Sequence, residues 1–289
     1  MPLPLVWLNG RLLPMADAHV SPLDRGFLFG DGVYEVLPVY GGRAYRLDAH
    51  LERLERSLHE IRMAPVQDRA GWLTAFGRLV HGNGGGDLLL YVQVTRGVEP
   101  ERSHVPRAGI PPTVFACVSP LPVQPLSVIE EGTPAVTGED LRWARCDIKT
   151  TSLLGNILHR WQAADAGATE SILLRGGWLT EGSTSSVHVV MAGRVLTPPQ
   201  TNAILPGTTR GVLHELAARA GIVVLRRPVS EAELRGADEV IIASAGGGIR
   251  AVTRLDGRPV GAGRPGPVFR RVYADFLATR QEFSTALPA

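Results

Sequence analysis

RCDIKTTSLLG, residues 145–155, contains Lys149, the only lysine among the chain's 30 Lys and Arg residues. Positions that need only a positive charge have gone to arginine. Arginine holds its proton to a pKa above about 12 and cannot become a nucleophile. A lysine amine can, when burial or neighbouring cations depress its pKa. A lone lysine in this setting is a candidate Schiff-base residue, and pyridoxal phosphate (PLP) is the usual carbonyl partner. A solvated lysine that survived by drift is the alternative.

The surrounding pattern alternates sheet and helix. Upstream, GTPAVTGEDLRWARCDIK alternates toward Lys149 and predicts that it sits just past a strand. Downstream, Leu154, Ile157, Leu158, Trp161 and Ala164 mark a helix that stops at Gly167. SILLRGGWLTEGS reads as two strands about Gly176-Gly177, the second reaching Glu181, and VHVVMAGRVLT as a hairpin about Ala192-Gly193. LPGTTRGVLHELAARAG is a helix ending at Gly221, followed by strands in IVVLRRPV, DEVIIASAGGG and IRAVTRLDG. The last helix carries Val268, Val272 and Phe276 on one stripe, with Phe269, Tyr273 and Leu277 beside it.

Toward the N-terminus, residues 5–14 form a hairpin about Asn9-Gly10, and GVYEVLPVY is a β-rich run that turns at Gly41-Gly42. A helix N-capped by Asp48 carries Leu51, Leu54, Leu58 and Ile61 in steps of 3, 4 and 3. A second runs from about Asp68 to Val80 and ends in HGNGGGD, which lacks the strand before and the GK[ST] after that a phosphate loop needs. LLLYVQVT (88–95) and TVFACVS (113–119) are buried-strand runs. SPLPVQPLSV (119–128), with three prolines and little charge, is the candidate linker. The expected organisation is α+β: an N-terminal domain over 1–119, a linker over 120–128, and a C-terminal domain over 129–289 holding Lys149 and Glu181.

Composition narrows the function. Apolar residues make up 44% and charged residues 20%, a globular balance. The net charge of +2 comes from dispersed arginines without a basic run, which argues against nucleic acid. Cys117 and Cys146 fit neither a disulfide framework nor a metal cluster, and read as small buried residues in a reducing compartment. MPLPLVWLNGRLLP does not read as a signal peptide, and no apolar run nears the roughly 18 residues that span a bilayer. A soluble cytoplasmic protein without a metal is expected.

A PLP site needs an amine, an acid for the pyridine nitrogen, a phosphate cup and a grip on the substrate carboxylate. Glu181 is typed for the second role, with an exposed turn glutamate as the plainer alternative. Thr208 and Thr209 stand at a helix start, where free N–H groups and the dipole favour an anion, although such threonines are more often ordinary caps. Arg53 lies about 120° round the wheel from its helix's leucine face, which reads as a solvated flank. The glycine-rich SAGGGI (244–249) can turn N–H groups to phosphate or be a plain turn. Arg102 and His104 share a loop and can converge on one anion with a tyrosine hydroxyl. His50 and His159 read as structural.

Together these pieces resemble the fold-type IV PLP enzymes, and among them the bacterial D-amino-acid aminotransferases. The carrying segments are DRGFLFGDGVYEV (24–36), AHLERL (49–54), YVQVTRG (91–97), DLRWARCDIKTTSLLG (140–155), ILLRGGWLTEGSTSSV (172–187) and ILPGTTR (204–210), in order over most of the chain. The resemblance implies a smaller N-terminal α/β domain, a larger C-terminal pseudo-barrel and a homodimer. It implies Lys149 as the Schiff-base lysine, Glu181 as the acid on the pyridine nitrogen, and Arg53, Thr208 and Thr209 as phosphate ligands. Leu205 then packs near the ring, Ser244 and Ala245 lie at the cofactor, and Tyr34, Arg102 and His104 form a carboxylate trap.

Three departures stand out. The interval from Arg96 to Arg102 is one residue longer than the family pattern; Ala245 and Gly248 replace a usual threonine and glutamate; Ser186 replaces an asparagine. The expected reaction is ping-pong transfer of the amino group of D-amino acids such as D-alanine to 2-oxoglutarate or pyruvate. An (R)-amine or branched-chain transaminase, an aminodeoxychorismate lyase and a non-catalytic PLP-binding regulatory protein are the alternatives.

Overall fold

The computed structural model describes residues 1–288. Those residues fall into two compact units. The first takes Met1–Pro122, Ile148–Ser152 and the chain from Arg280; the second takes Val123–Asp147 and Leu153–Thr279. Lys149 and the C-terminal residues, expected with the second domain, therefore group with the first unit. The reason is local pairing: Tyr34 N–H donates to Lys149 O at 2.9 Å, Thr151 N–H to Gly32 O at 3.0 Å, and Ser284–Ala286 pairs with Arg43–Tyr45.

Among the described residues, the first unit holds a seven-stranded antiparallel sheet. Its order is Ser284–Ala286, Arg43–Tyr45, Gly32–Tyr40, Leu88–Thr95, Thr113–Pro120, Leu5–Leu8 and Arg11–Pro14. The two predicted buried runs pair along their whole length, from Leu88↔Pro120 to Thr95↔Thr113. Helices Leu47–Glu60 and Arg69–Gly82 contribute Leu47, Leu51, Leu54, Leu58, Trp72, Phe76 and Leu79 to one core with Leu37, Leu90 and Val92 of the sheet. That core follows from the period-3.6 leucines meeting alternating strand residues. Asp48 is not the N-cap. Arg46 holds that place in the left-handed region, φ 51°, and Asp48 sits in the first turn, paired with Arg69 at 2.5 Å, where a carboxylate suits the helix dipole.

The second unit is built, among the described residues, on a nine-stranded mixed sheet. Its order is Val224–Arg226, Arg194–Thr197, Ser186–Met191, Glu239–Ser244, Gly248–Leu255, Thr133–Glu139, Glu170–Arg175 and Trp178–Gly182, with Arg258–Pro259 on Gly248–Leu255. Ile172, Val187, Val189, Val240 and Ile242 anchor its core. Helix Thr208–Arg219 buries Val212, Leu213, Leu216 and Ala217. Lys149 is not just past a strand: the nearest preceding strand ends at Glu139, and the chain from there to Lys149 is irregular. The expected linker also differs, since Leu126–Glu130 is a short helix. Helix Leu154–Asp165 forms as predicted, but with its apolar stripe outward. Leu154, Ile157, Leu158 and Trp161 are 43–68% exposed, while His159 and Ala163 face in. Cys146 is buried and Cys117 half-buried, both as free thiols. No helix among the described residues is long and apolar enough to cross a membrane.

His188 and His214 meet edge to face in this unit, ring centroids 5.2 Å apart. Burial first, then neighbouring cations, holds both below the ordinary imidazole value of 6.5, His214 at about 4. The unfolded chain takes up a proton as pH falls past 6.5 and the folded chain refuses it, so stability is lost between pH 6.5 and about 4. The expected slope is up to about 1.4 kcal/mol per pH unit per histidine. Urea midpoints of the parent and of His214→Gln at pH 7.5 and pH 5.0 check this; a variant whose change in midpoint between the two pH values equals the parent's would refute it.

Candidate active site

Lys149 is half-buried in the first unit, and its backbone is tied on both sides. Its carbonyl accepts the Tyr34 N–H and its own N–H donates to Ser57 Oγ at 3.3 Å. The ammonium Nζ stands 4.2 Å from the centre of the Tyr34 ring, which itself stacks on Tyr91 at 5.6 Å. The strand edge thus aims the amine along an aromatic face rather than into open water. Gly30 makes the approach possible: its φ is 66°, and a Cβ there would collide with the Ser152 side chain.

Tyr34 and Glu35 are neighbours on one strand, so their side chains leave opposite faces. Glu35 enters the interior, 1% exposed, and receives a forked pair of bonds from Arg53: Nε to Oε1 at 2.6 Å and Nη2 to Oε2 at 2.8 Å. His50 Nδ1 lies 2.7 Å from the same carboxylate. Burial alone would raise the Glu35 pKa, but Arg53 and His50 overcome it and hold the group well below the carboxylate range. The helical wheel put Arg53 on a solvated flank; the structure buries it at 7% exposure because an inward acid on the adjacent strand pairs with it. Glu35 went unread in the sequence. Its one signal is a charge in mid-strand within GVYEVLPVY.

Glu181 is not an exposed turn residue. It is 5% exposed in the second unit, at the end of strand Trp178–Gly182. Arg142 Nη1 donates to Oε1 at 2.6 Å and the Leu205 N–H to Oε2 at 3.1 Å. Arg142 also forks onto Asp140, both bonds at 2.9 Å, and Thr180 Oγ1 and Arg175 Nη2 complete that carboxylate at 2.9 and 3.0 Å. Burial pushes the Glu181 carboxyl up to about 7 against the opposing pull of Arg142. A group so poised can hold or accept a hydrogen at a ring nitrogen. Arg142 and Asp140 were not singled out in the sequence, where DLRW gives no sign of them.

Thr208 and Thr209 open helix Thr208–Arg219, but neither caps it. Gly207 is the N-cap, with no side-chain bond to the first turn. The helix start therefore presents its N–H groups without a competing side chain, the arrangement an anion requires. Leu205 and Thr208 are half-buried and Thr209 is buried. Ser244 ends strand Glu239–Ser244, where its hydroxyl accepts the Gly247 N–H at 3.2 Å; Ala245 follows in the turn. Arg102 and His104 sit exposed on their loop, the guanidinium 4.8 Å and the imidazole 5.5 Å from the centre of the Phe29 ring. Tyr34 belongs to the Lys149 cluster instead.

Taken unit by unit, the groups present are of the kinds that PLP takes up. The first unit offers an amine and a buried guanidinium; the second offers a buried acid and an uncapped helix start. Comparison with known proteins agrees. The amino-transferase class IV family matches residues 32–255. A D-alanine aminotransferase of Bacillus licheniformis is 40% identical over 92% of this chain and 94% of its own length. One from Staphylococcus aureus (strain MSSA476) is 36% identical over 94% and 96%. Among solved structures, the Escherichia coli branched-chain amino acid aminotransferase superposes with a TM-score of 0.93 at 25% identity, covering 99% of this chain and 100% of that one. The branched-chain aminotransferase of the archaeon Thermoproteus uzoniensis, solved with norvaline, has a TM-score of 0.89 at 25% identity, again covering 99% and 100%. A further branched-chain aminotransferase, complexed with N-(5'-phosphopyridoxyl)-L-glutamate, shares the fold at TM-score 0.90 and 24% identity, covering 99% of each chain.

Proposed function

The chain belongs to the class IV aminotransferases, PLP-dependent enzymes, and from that premise we propose that its amino donors are D-amino acids such as D-alanine. The acceptor is a 2-oxo acid, 2-oxoglutarate or pyruvate, and turnover is ping-pong. The observation that carries this reading is the 40% identity to a D-alanine aminotransferase over 92% of the chain. The presence of Arg102 and His104 on one loop is consistent with it.

When bound, PLP supplies an aldehyde for the substrate amine and a ring that takes up the electron pair left at Cα. Lys149 Nζ moves the proton at substrate Cα, a role a lysine amine fits and arginine's guanidinium does not. Glu181 would hold a proton at the ring nitrogen of the bound cofactor. The Thr208 and Thr209 N–H groups bind phosphate along the helix dipole, with Arg53 adding charge and Glu35 keeping that guanidinium in one orientation. Arg102 and His104 would bind the substrate carboxylate, and Tyr34, which stands with Lys149, would add its hydroxyl from the amine's side of the substrate. Leu205 would pack at the cofactor ring, and Ser244 and Ala245 would stand near its phosphate. The same reading makes the enzyme a cytoplasmic homodimer. The outward Leu154, Ile157, Leu158 and Trp161 support a second copy, since such a stripe is rarely left in water.

The second reading, an (R)-amine transaminase, draws on Ala245 in the glycine-rich turn and on Gly248 at the start of the next strand. Arg102→Ala separates the two. A charge-assisted contact to carboxylate is worth about 1.5–3 kcal/mol, so the KM for D-alanine is expected to rise about 10- to 150-fold. An unchanged KM favours the amine reading. Bleaching of the cofactor's visible band by D-alanine but not L-alanine tests the handedness directly.

A further inference from the structure

The loop that carries Arg102 and His104 is held by a residue outside the site already described. Glu99 is 2% exposed, although Glu101 through Val105 are exposed. Its Oε2 accepts from Arg25 Nη1 at 2.6 Å, and its Oε1 from the Arg107 N–H at 2.6 Å. Arg25, itself 4% exposed, donates further to the Ser103 carbonyl at 2.5 Å and the His104 carbonyl at 3.2 Å. Its remaining nitrogen, Nε, bonds Asp31 at 2.8 Å, and Asp31 in turn takes a fork from Arg96 at 2.8 and 3.1 Å. The loop is thus pinned at its start and middle to the Arg25 guanidinium and at its end to the Glu99 carboxylate, while the Phe29 ring packs within 4.9 Å of Arg25 and 4.8 Å of Arg102. Glu99 lies inside the Arg96–Arg102 interval, the stretch that is one residue longer than the family pattern.

We propose that Glu99 is a specificity-determining positioning residue: clamped between Arg25 and the Arg107 N–H, it fixes loop 99–107 so that Arg102 and His104 are set for a substrate carboxylate. Two exposed side chains on an untied loop would lose that orientation, and a displacement of about 1 Å can cost on the order of a hundredfold in a positioned step. A buried, doubly bonded carboxylate is what a lengthened loop needs to recover one conformation. This rests on the carboxylate-trap reading of Arg102 and His104.

The test uses the PLP-loaded enzyme. Glu99→Ala is expected to raise the KM for D-alanine about tenfold or more, with kcat within about threefold and the cofactor absorbance unchanged. Trypsin should cut after Arg102 and Arg107 at least several times faster than in the parent. Glu99→Gln, which keeps one acceptor oxygen, should fall between. The double variant Glu99→Ala/Arg102→Ala should raise KM by clearly less than the product of the two single effects, because part of the Glu99→Ala loss acts through Arg102 and the rest through His104. Multiplicative effects in the double variant, or an Arg102→Ala effect with none from Glu99→Ala, overturn the clamp and leave the trap. An unchanged KM in Arg102→Ala removes both. If Glu99→Ala does not fold, Glu99→Gln and Arg25→Lys carry the same KM and trypsin readouts.

Discussion

Lys149→Arg is expected to lower kcat for transamination by on the order of 10⁴-fold while leaving the fold intact. The substitution keeps a cation above the Tyr34 ring, where Nζ now stands at 4.2 Å, and keeps the backbone bonds to Tyr34 and Ser57. What it removes is the ability to give up a proton and attack a carbonyl. Charge and packing are thereby separated from chemistry, which an alanine substitution does not do. Lys149→Ala should lose as much, but added methylamine should restore part of its rate, and should do nothing for Lys149→Arg. Single-turnover rates with D-alanine measure the effect. An arginine variant within tenfold of the parent would mean that another group moves the Cα proton.

The second large effect is expected from Glu181→Gln: a loss of about 10²–10³ in kcat, the usual cost of one preorganised charge partner. Stability should change little. Breaking a buried ion pair by removing one partner commonly costs about 3–5 kcal/mol because it strands a charge. Here Arg142 is not stranded: it keeps its fork onto Asp140, and Asp140 keeps Thr180 and Arg175. The wild-type acid also has a pH signature. Its folded-state pKa of about 7 lies above the ordinary 4.5, so the cofactor-free folded chain holds more protons across that window and loses stability as pH rises through it. Glu181→Gln should flatten that part of the profile. Chemical denaturation between pH 5 and pH 8, beside kcat, tests both statements; a large drop in stability with kcat preserved would reverse the assignment.

Glu181 and Arg53 show how far each kind of reading reaches. Residue type marked Glu181 as a candidate, since an acid at a strand end has few chemical uses. Type could not tell an exposed turn from a buried acid, because burial here depends on Arg142, 39 positions away. Arg53 was misjudged by its helical wheel for the same reason: the wheel knows only its own helix, and Glu35 comes from a neighbouring strand. Asp48 failed as a cap because the helix starts at Leu47, one residue after strand Arg43–Tyr45, and Arg46 at φ 51° is the single residue that joins the two. The stripe of helix Leu154–Asp165 was correct as a helix signal yet silent about direction, since periodicity reports that one face is apolar and not what covers it.

By itself the sequence determined which chemistry is available and where the chain turns. One lysine among arginines, glycines at the hairpin tips and heptad-like leucines each act through their own covalent structure and their immediate neighbours. Only the tertiary structure decided which charges are buried and in whose company. Arg25 reaches Glu99 across 74 positions, Arg53 reaches Glu35 across 18, and Arg142 reaches Glu181 across 39. Such pairs leave no local pattern, because desolvating a charge is tolerable only when a partner from elsewhere in the fold arrives with it.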